Sequence, residues 1–249
     1  MTPRCFVPPE TWLHDTITLT GDDSHHLVDV LRMEIGASVM ICDGQGGEAT
    51  AVITAYNAGI LTVWIVDRKR QADSGVTLTL IQAVPKSQKM DLIIQKATEM
   101  GICAIRPVMT DRGVVRLENE RADHRTIRWQ RIASEAAKQC RTLWIPKVYP
   151  VETLSSLLET KLALDALLIG SLEPASQPLK ICLRELRERH IGSVGLLIGP
   201  EGDFSQREYE LARKAGAIPI SYGSRVLRVE TAALYGVSVL AYELMDDHV

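Results

Sequence analysis

Short apolar runs alternate with amphipathic helical patterns along the chain from residue 76 onward. The runs Ala166–Gly170 and Val194–Ile198 contain almost no polar side chains, which is typical of strands buried on both faces. Between such runs, apolar residues recur at helical spacing, as in Ser87–Met100 and Leu179–His190. This alternation predicts an α/β domain built on a mainly parallel sheet.

The first 72 residues follow a different pattern, in which β-branched residues are frequent and the runs are short. Strands are predicted over Ser38–Cys42, Glu48–Ala55 and Ile60–Val66, because glycine and asparagine separate these runs. A helical piece is predicted around Ser24–Arg32. Together these elements predict a small β-barrel, followed by a polar linker over Arg68–Gly75.

The last predicted helix, Thr231–Met245, is apolar on nearly all sides. Its apolar residues are Ala232, Ala233, Leu234, Val237, Val239, Leu240, Ala241 and Leu244. A helix of this kind has to be covered over most of its surface. Burial in the core of the domain and burial in a dimer both satisfy the pattern.

Three predicted strands end in loops that carry glycine or charged residues. The first strand ends at Gly170-Ser171, the second enters Gly199–Ser205, and the third enters Tyr222–Arg228. Ser205 lies three residues before Glu208, a capping-box spacing that starts a helix. Loops at the carboxyl ends of strands in open α/β sheets bind ligands. A single loop of this kind is explained equally well as a plain turn from strand to helix.

The second and third loops, Gly199–Phe204 and Tyr222–Ala232, together resemble the GPEG(G)F and LGxRxLRxETA motifs of the SPOUT methyltransferases. Within them, the chain is most similar to the bacterial RsmE type, which makes N3-methyluridine in 16S ribosomal RNA. The resemblance covers essentially the whole chain. It extends through Lys86–Asp91, Gln95–Gly101, Glu135–Arg141 with Pro146, Arg4, and His25–Arg32. One departure is Asp203, which replaces a glycine of the motif and makes the loop less free and more acidic.

The resemblance implies both a fold and an activity. The fold would be α/β, with a small PUA-like β-barrel domain over residues 1–72 that contacts RNA. A SPOUT methyltransferase domain with a trefoil-knotted, mainly parallel sheet would follow over residues 73–249. The resemblance also implies S-adenosylmethionine as the cofactor, a homodimer with active sites between the subunits, and 16S ribosomal RNA in the small ribosomal subunit as the substrate.

The three loops are expected to hold the cofactor. Glycines let a flat ligand approach the backbone closely, and aliphatic side chains enclose an adenine ring. The expected cofactor-binding residues are Gly170, Ile198, Gly199, Pro200, Gly202, Tyr222, Gly223, Val226, Leu227 and Arg228.

Methyl transfer to a uracil N3 requires an aligned donor and acceptor and the loss of a weakly acidic proton. Arg228 is expected to hold the uracilate oxygens with its planar guanidinium. Glu230 and Glu201 are expected either to accept the proton or to orient Arg228. A plain alternative for Glu230 is an acid stabilised by the dipole at a helix start. The sequence does not identify the base.

The net charge of −3 confines any nucleic-acid surface to part of the molecule, and the first 75 residues hold 5 Lys or Arg against 10 Asp or Glu. A helix is predicted over Arg121–Arg141 with Ile127, Ile132 and Ala136 facing inward. Its basic residues form either a solvated face or a phosphate-contacting edge. The scarcity of acidic partners nearby favours the edge. The expected RNA-binding residues are Arg4, His26, Arg32, Arg128, Arg131 and Arg141.

Other functional classes are disfavoured. Gly44–Ala49 matches the G-x-G-x-x-A pattern of dinucleotide sites, but an alternating strand follows it instead of a helix, so a hairpin turn is predicted. The five cysteines lack a CxxC pair and the six histidines lack ligand spacing, so no metal is expected. The cysteine usage and the lack of a signal peptide predict a cytoplasmic protein. The alternative function is a non-catalytic RNA-binding ribosome-assembly factor, which would not need both glycine loops.

Overall fold

The computed structural model describes residues 2–72, 75–86, 88–113, 119–160 and 162–245. The chain divides into two compact units. The N-terminal unit consists of residues 1–73 and 137–145, and the C-terminal unit consists of residues 74–136 and 146–249. The chain therefore returns to the N-terminal unit after it has begun the C-terminal one.

The N-terminal unit is built on a curled five-stranded sheet with the strand order β1-β3-β4-β5-β2. Its elements are β1 (Arg4–Phe6), α1 (Pro9–Trp12), β2 (Thr16–Leu19), α2 (Gly21–His25), a π-helical turn (His26–Val30), β3 (Ser38–Cys42), β4 (Gly47–Asn57) and β5 (Ile60–Arg70). Register shifts at Thr50/Ala51 and Ile53/Ala55 interrupt the β4–β5 ladder, and bulges of this kind bend a strand. Aliphatic residues that alternate along β3, β4 and β5 form the core of this unit.

The sequence pattern predicted a linker from Arg68, but β5 continues to Arg70 and pairs with the start of β4. The prediction was wrong for Arg68–Arg70 because the charges that suggested a linker have partners within the unit. Arg68 forms an ion pair with Asp15 at 2.9 Å, and Arg70 forms one with Asp43 at 2.6 Å. The guanidinium of Arg70 also lies 4.9 Å from the centre of the Trp12 ring.

The glycine-rich segment at Gly44 is the turn between antiparallel strands β3 and β4, as predicted. The carboxylate of Asp43 accepts hydrogen bonds from the backbone N–H groups of Gln45 at 2.7 Å and Gly47 at 2.8 Å. This turn lies in the N-terminal sheet and opens no helix, so it lacks the geometry of a dinucleotide site.

The C-terminal unit is built on an eight-stranded sheet in which every pairing between described strands is parallel. The strand order is β11-β13-β10-β12-β6-β7-β8, and β9 also pairs with β7. Its elements are β6 (Thr77–Ala83), α3 (Lys89–Glu99), β7 (Ala104–Met109), α4 (Asn119–Cys140, whose last four residues belong to the N-terminal unit), β8 (Lys147–Val148), β9 (Glu152–Thr153), α5 (Leu154–Glu159), β10 (Ala166–Gly170), β11 (Gln177–Pro178), α6 (Leu179–Glu188), β12 (Ser193–Ile198), α7 (Gln206–Lys214), β13 (Ala217–Ser221) and α8 (Val229–Leu244). The predicted α/β architecture is confirmed.

Both faces of this sheet are buried, which explains the continuous apolar runs in the sequence. On β12, Leu196 and Ile198 belong to a core shared with α3, α6 and α8. Leu197 points to the opposite face and packs in a second core with residues of α5 and α7. Successive side chains of a strand alternate between faces, so one apolar run supplies both cores.

Helix α4 runs over Asn119–Cys140, close to the predicted Arg121–Arg141, but one of its predicted inward residues was assigned wrongly. Ile127 is 69% exposed, whereas Trp129, Ala133 and Ala136 are buried. The buried positions follow a helical spacing centred on Trp129. The prediction placed Ile127 inward because it is apolar, but the larger side chain of Trp129, two residues later, is the one that is buried.

Helix α8 is covered mainly on one side. Ala233, Gly236, Val237 and Leu240 are buried where the helix packs on strands β6 and β12 and on α3. None of the helices in the described part of the chain is both long enough and apolar enough to cross a membrane.

Candidate active site

The three loops that the sequence singled out line one cavity of about 440 Å³. Strands β13, β10 and β12 are neighbours in the sheet and run parallel. Their carboxyl ends therefore meet at one edge, where open α/β sheets place their ligand sites. The lining residues are Lys89, Gly170, Ser171, Leu172, Ile198, Gly199, Pro200, Glu201, Asp203, Ser221, Tyr222, Gly223, Arg225, Val226, Leu227, Arg228, Val229 and Ala232.

The structure brings together nine of the ten residues expected to hold the cofactor. The tenth, Gly202, is not among the lining residues. Its carbonyl oxygen accepts a hydrogen bond from Arg112 Nη1 at 3.3 Å. The lining residues that lie outside the three predicted loops include Lys89 and Leu172.

The second loop is shaped by its own packing. A Cβ atom on Gly199 would lie 2.9 Å from the ring of Phe204, a residue that is itself buried. Ser205 and Glu208 form the predicted capping box, with each side chain bonded to the other's backbone N–H. The glycine at 199 therefore allows Phe204 to close the loop onto the core, and the helix α7 begins at once.

Arg228 lies at the rim of the cavity and directly precedes α8. Its backbone carbonyl accepts a hydrogen bond from Ala232 N at 2.8 Å. Its side chain is exposed and makes no hydrogen bond or ion pair with another residue of the described chain. The guanidinium therefore retains all of its donors for a ligand.

Both candidate acids converge on Lys89, the first residue of α3. Lys89 Nζ lies 3.4 Å from Glu201 Oε1 and 3.1 Å from Glu230 Oε2. The close contact with the Glu230 carboxylate raises the pKa of Lys89. The pKa of Glu230 is lowered, first by a hydrogen bond from its own backbone N–H and then by Lys89. The sequence interpretation named Lys89 only as part of the family-like segment Lys86–Asp91. The contacts of Lys89 were not predicted because Glu201 and Glu230 lie more than a hundred residues away in the sequence.

The residues expected to contact RNA lie in both units. In the N-terminal unit, Arg4 Nη1 donates a hydrogen bond to the carbonyl oxygen of Arg141 at 2.6 Å, while His26 and Arg32 are exposed. In the C-terminal unit, Arg128 and Arg131 are exposed on α4.

The ion pairing of Arg128 also bears on the charge argument made from the sequence. Arg128 forms an ion pair with Asp91 of α3. The sequence argument counted only the acidic residues on α4 itself. It therefore missed that an acid of another helix pairs with this basic face.

The cysteines and the possible metal ligands were compared with the cavity residues within the described part of the chain. All five cysteines are free thiols. Burial raises the pKa of Cys5 to about 12 and that of Cys42 to about 11, which keeps both protonated and unreactive at neutral pH. Within the described residues, no group of three or more His, Cys, Asp or Glu side chains is arranged to hold a metal ion.

Comparison with known proteins identifies the family. Residues 72–241 match the family model of an RNA methyltransferase domain, and residues 19–63 match that of an RNA methyltransferase PUA domain. The chain is 31% identical to a ribosomal RNA small subunit methyltransferase E from Synechocystis over 93% of its length and 75% of the relative. It is 29% identical to the one from Bacillus subtilis, over 92% of this chain and 90% of that protein.

Two similar solved structures contain the cofactor. One is a ribosomal RNA small subunit methyltransferase E from Neisseria gonorrhoeae bound to S-adenosylmethionine, with a TM-score of 0.83, 29% identity and coverage of 96% of this chain and 97% of that one. The other is a putative methyltransferase from Legionella pneumophila in complex with the same cofactor, with a TM-score of 0.78, 30% identity and coverage of 97% and 98%. The protein therefore belongs to the RNA methyltransferase family with an associated PUA domain.

Proposed function

We propose that the protein transfers a methyl group from S-adenosylmethionine to N3 of a uridine in 16S ribosomal RNA. The observation that carries this proposal is the single cavity lined by three strand-end loops, with the unpaired guanidinium of Arg228 at its rim. The similarity to small subunit methyltransferases E supports the choice of substrate.

The cavity suits S-adenosylmethionine in size and in chemistry. Its volume of about 440 Å³ lies within the range of small-molecule sites. Aliphatic walls at Ile198, Val226 and Leu227 favour an adenine ring, and the glycines at 170, 199 and 223 leave the backbone accessible. When bound, the cofactor supplies an electrophilic methyl group on its sulfonium. The protein's contribution is to hold and orient donor and acceptor.

Arg228 is proposed to bind the O2 or O4 oxygen of the acceptor uracil. Loss of the N3 proton places negative charge on these oxygens, and a planar guanidinium stabilises that charge as it develops. Glu201 and Glu230 belong to the same catalytic set in this proposal. Their shared contact with Lys89 favours a role in organising the site over proton abstraction.

Substrate RNA is proposed to contact both parts of the chain, with residues 1–72 as the PUA-like RNA-binding domain and residues 73–249 as the methyltransferase domain. Phosphates would be bound by Arg4, Arg32, Arg128, Arg131 and Arg141, with His26 beside them. Lysine and arginine contacts of this kind release counterions, so binding weakens as salt increases. Basic residues in both units suit a folded acceptor, recognised by its shape.

We further propose that the protein is a homodimer acting on the small ribosomal subunit in the cytoplasm. The exposed aromatic residues of α8 support the dimer.

A non-catalytic assembly factor would keep the basic residues but would have no use for a cavity formed jointly by three loops. Binding of S-adenosylmethionine, detected as a rise in melting temperature, distinguishes the two functions.

Arg228→Ala tests the proposed chemistry. We expect turnover to fall roughly a hundred- to a thousandfold, as for the loss of a single transition-state donor. Affinity for S-adenosylmethionine should change little, because the contact forms mainly with the acceptor.

Methyl incorporation into small subunits that lack the mark is the measurement, and nucleoside mass spectrometry identifies the product. Arg184→Ala, an exposed arginine on α6 away from the cavity, is the matched control. Wild-type turnover in Arg228→Ala would remove its catalytic role. A methyl group on ribose or on another base would overturn the substrate assignment.

A further inference from the structure

Lys89 connects elements that are far apart in the sequence. Its ammonium contacts Glu201 of the Gly199–Asp203 loop and Glu230 in the first turn of α8. A second contact strengthens the first of these connections, since the backbone N–H of Lys86 donates to Glu201 Oε1 at 3.2 Å. Lys86 and Lys89 thus hold the second loop and the first turn of α8, which directly follows the third loop, at the same point.

We propose that Lys89 is a positioning residue for methyl transfer, whose ammonium fastens the Gly199–Asp203 loop to the first turn of α8. This inference rests on the proposed function. We call the cluster of Lys89, Glu201 and Glu230 the clamp. Because Arg228 lies two residues before Glu230, the clamp also fixes the backbone from which the Arg228 guanidinium reaches the cavity.

One buried atom makes the clamp sensitive to the loss of its cation, although the side chains of Lys89 and Glu201 are each 31% exposed. Glu230 Oε2 is fully buried, and the ammonium of Lys89 provides its ion pair. Without Lys89, the carboxylates of Glu201 and Glu230 would remain close together beside the cavity, because both now contact the same ammonium. Two neighbouring carboxylates repel each other. Arg228 is the other cation near Glu230, so the freed carboxylate would draw its guanidinium away from the acceptor.

The clamp also assigns a role to the acids. A carboxylate whose charge is compensated by an ammonium is a weaker base than a free one. The lowered pKa of Glu230 makes it a poorer acceptor for the uracil proton, and its contact with Lys89 assigns it to holding that residue in place. Glu201 contributes through its contacts with Lys89 Nζ and with the backbone N–H of Lys86.

Lys89→Met and Lys89→Arg test this role, with Lys96→Met as the matched control. Lys96 lies two turns later on α3 and forms an ion pair with Glu99 at 2.9 Å, outside the cavity. We expect Lys89→Met to lower kcat at saturating S-adenosylmethionine on the order of ten- to a hundredfold, because a small displacement of aligned groups has such an effect. Lys89→Arg should recover part of that loss, and Lys96→Met should match the wild type.

A double-variant cycle with Glu230→Gln separates the clamp from a general loss of stability. If both residues act through one contact, the double variant should be no slower than Lys89→Met alone. Multiplication of the two single effects would overturn the proposal, and so would wild-type kcat in Lys89→Met.

Amide hydrogen exchange tests the clamp without relying on activity. Lys89→Met should speed exchange in the Gly199–Asp203 loop and in the first turn of α8, while Lys96→Met should not. Unchanged exchange would overturn the clamp. If the wild-type protein failed to methylate RNA, the proposed function would fail, and the exchange result would still decide whether Lys89 joins the Gly199–Asp203 loop to the first turn of α8.

Discussion

Asp203 shows how a single residue adapts a glycine position. Its φ angle of 60° lies in the left-handed region, which aspartate tolerates better than most residues. The phenolic oxygen of Tyr209 donates a hydrogen bond to Asp203 Oδ1 at 2.8 Å. The ring of Tyr209 packs edge-on against Phe204, with centroids 5.4 Å apart. The side chain at 203 therefore compensates for its backbone conformation by tying the loop to α7.

Substitutions of Asp203 separate these two effects. Asp203→Gly loses the hydrogen bond, worth about 1 kcal/mol, but relieves the left-handed backbone. Asp203→Ala loses the bond and keeps the unfavourable conformation, which costs about 1–2 kcal/mol more. We therefore expect the alanine variant to be less stable than the glycine variant in urea unfolding.

Tyr209→Phe is the control, since it removes only the hydroxyl and keeps the ring packing. Equal stability of Asp203→Ala and Asp203→Gly would show that the backbone conformation at this position is not strained.

At the scale of elements, the contact between α8 and the third loop depends on one small residue. A Cβ atom on Gly236 would lie 2.5 Å from the Tyr222 hydroxyl and 2.6 Å from Leu196 Cδ2. Tyr222 lines the cavity. The close approach of α8 to the sheet therefore sets the position of one cavity wall.

Gly236→Ala should destabilise the protein even though alanine is the better helix former. The helical preference contributes about 1 kcal/mol in favour of alanine, whereas overpacking costs about 1–3 kcal/mol. We also expect weaker binding of S-adenosylmethionine, because Tyr222 has to move. Thermal unfolding and calorimetry measure the two effects. Ser238→Ala, on the exposed side of the same helix, should change neither by much, and a more stable Gly236→Ala protein would contradict the packing argument.

The sequence predicted elements well where the physical signal was local. The bounds of β3 and β10 agree with prediction because apolar and β-branched residues end abruptly at turns or polar residues. The strands β1 and β2 were missed because they have only three and four residues. The cavity followed from strand-end loops and from family motifs. Lys89 did not, because its role depends on contacts across the fold that no local pattern encodes.

At the scale of the whole molecule, α8 presents an exposed aromatic surface. Tyr242 is 86% exposed and Tyr235 is 48% exposed. Both lie on the side of the helix that faces away from the sheet, together with Ser238. Aromatic residues are enriched at protein interfaces relative to the rest of the surface.

Tyr242→Glu should therefore weaken the proposed dimer. A buried, unpaired carboxylate is costly at an interface, so we expect a shift toward the monomer of 27.6 kDa in sedimentation at micromolar concentration. Tyr56→Glu, at an exposed tyrosine of the N-terminal unit, is the matched control. A wild-type protein that sediments only as a monomer would refute the dimer, and an unchanged dimer in Tyr242→Glu would place the interface elsewhere.

The return of residues 137–145 to the N-terminal unit has a consequence for how the protein is made. Lys138 forms an ion pair with Asp23 at 2.9 Å, and Arg4 binds the carbonyl oxygen of Arg141. The N-terminal unit is made of two stretches, residues 1–73 and 137–145. At elongation rates of roughly 5–20 residues per second, synthesis of the second stretch ends roughly 4 to 14 seconds after synthesis of the first. The N-terminal unit, which contains the first residues to be translated, is therefore completed only after more than half of the polypeptide has been synthesised.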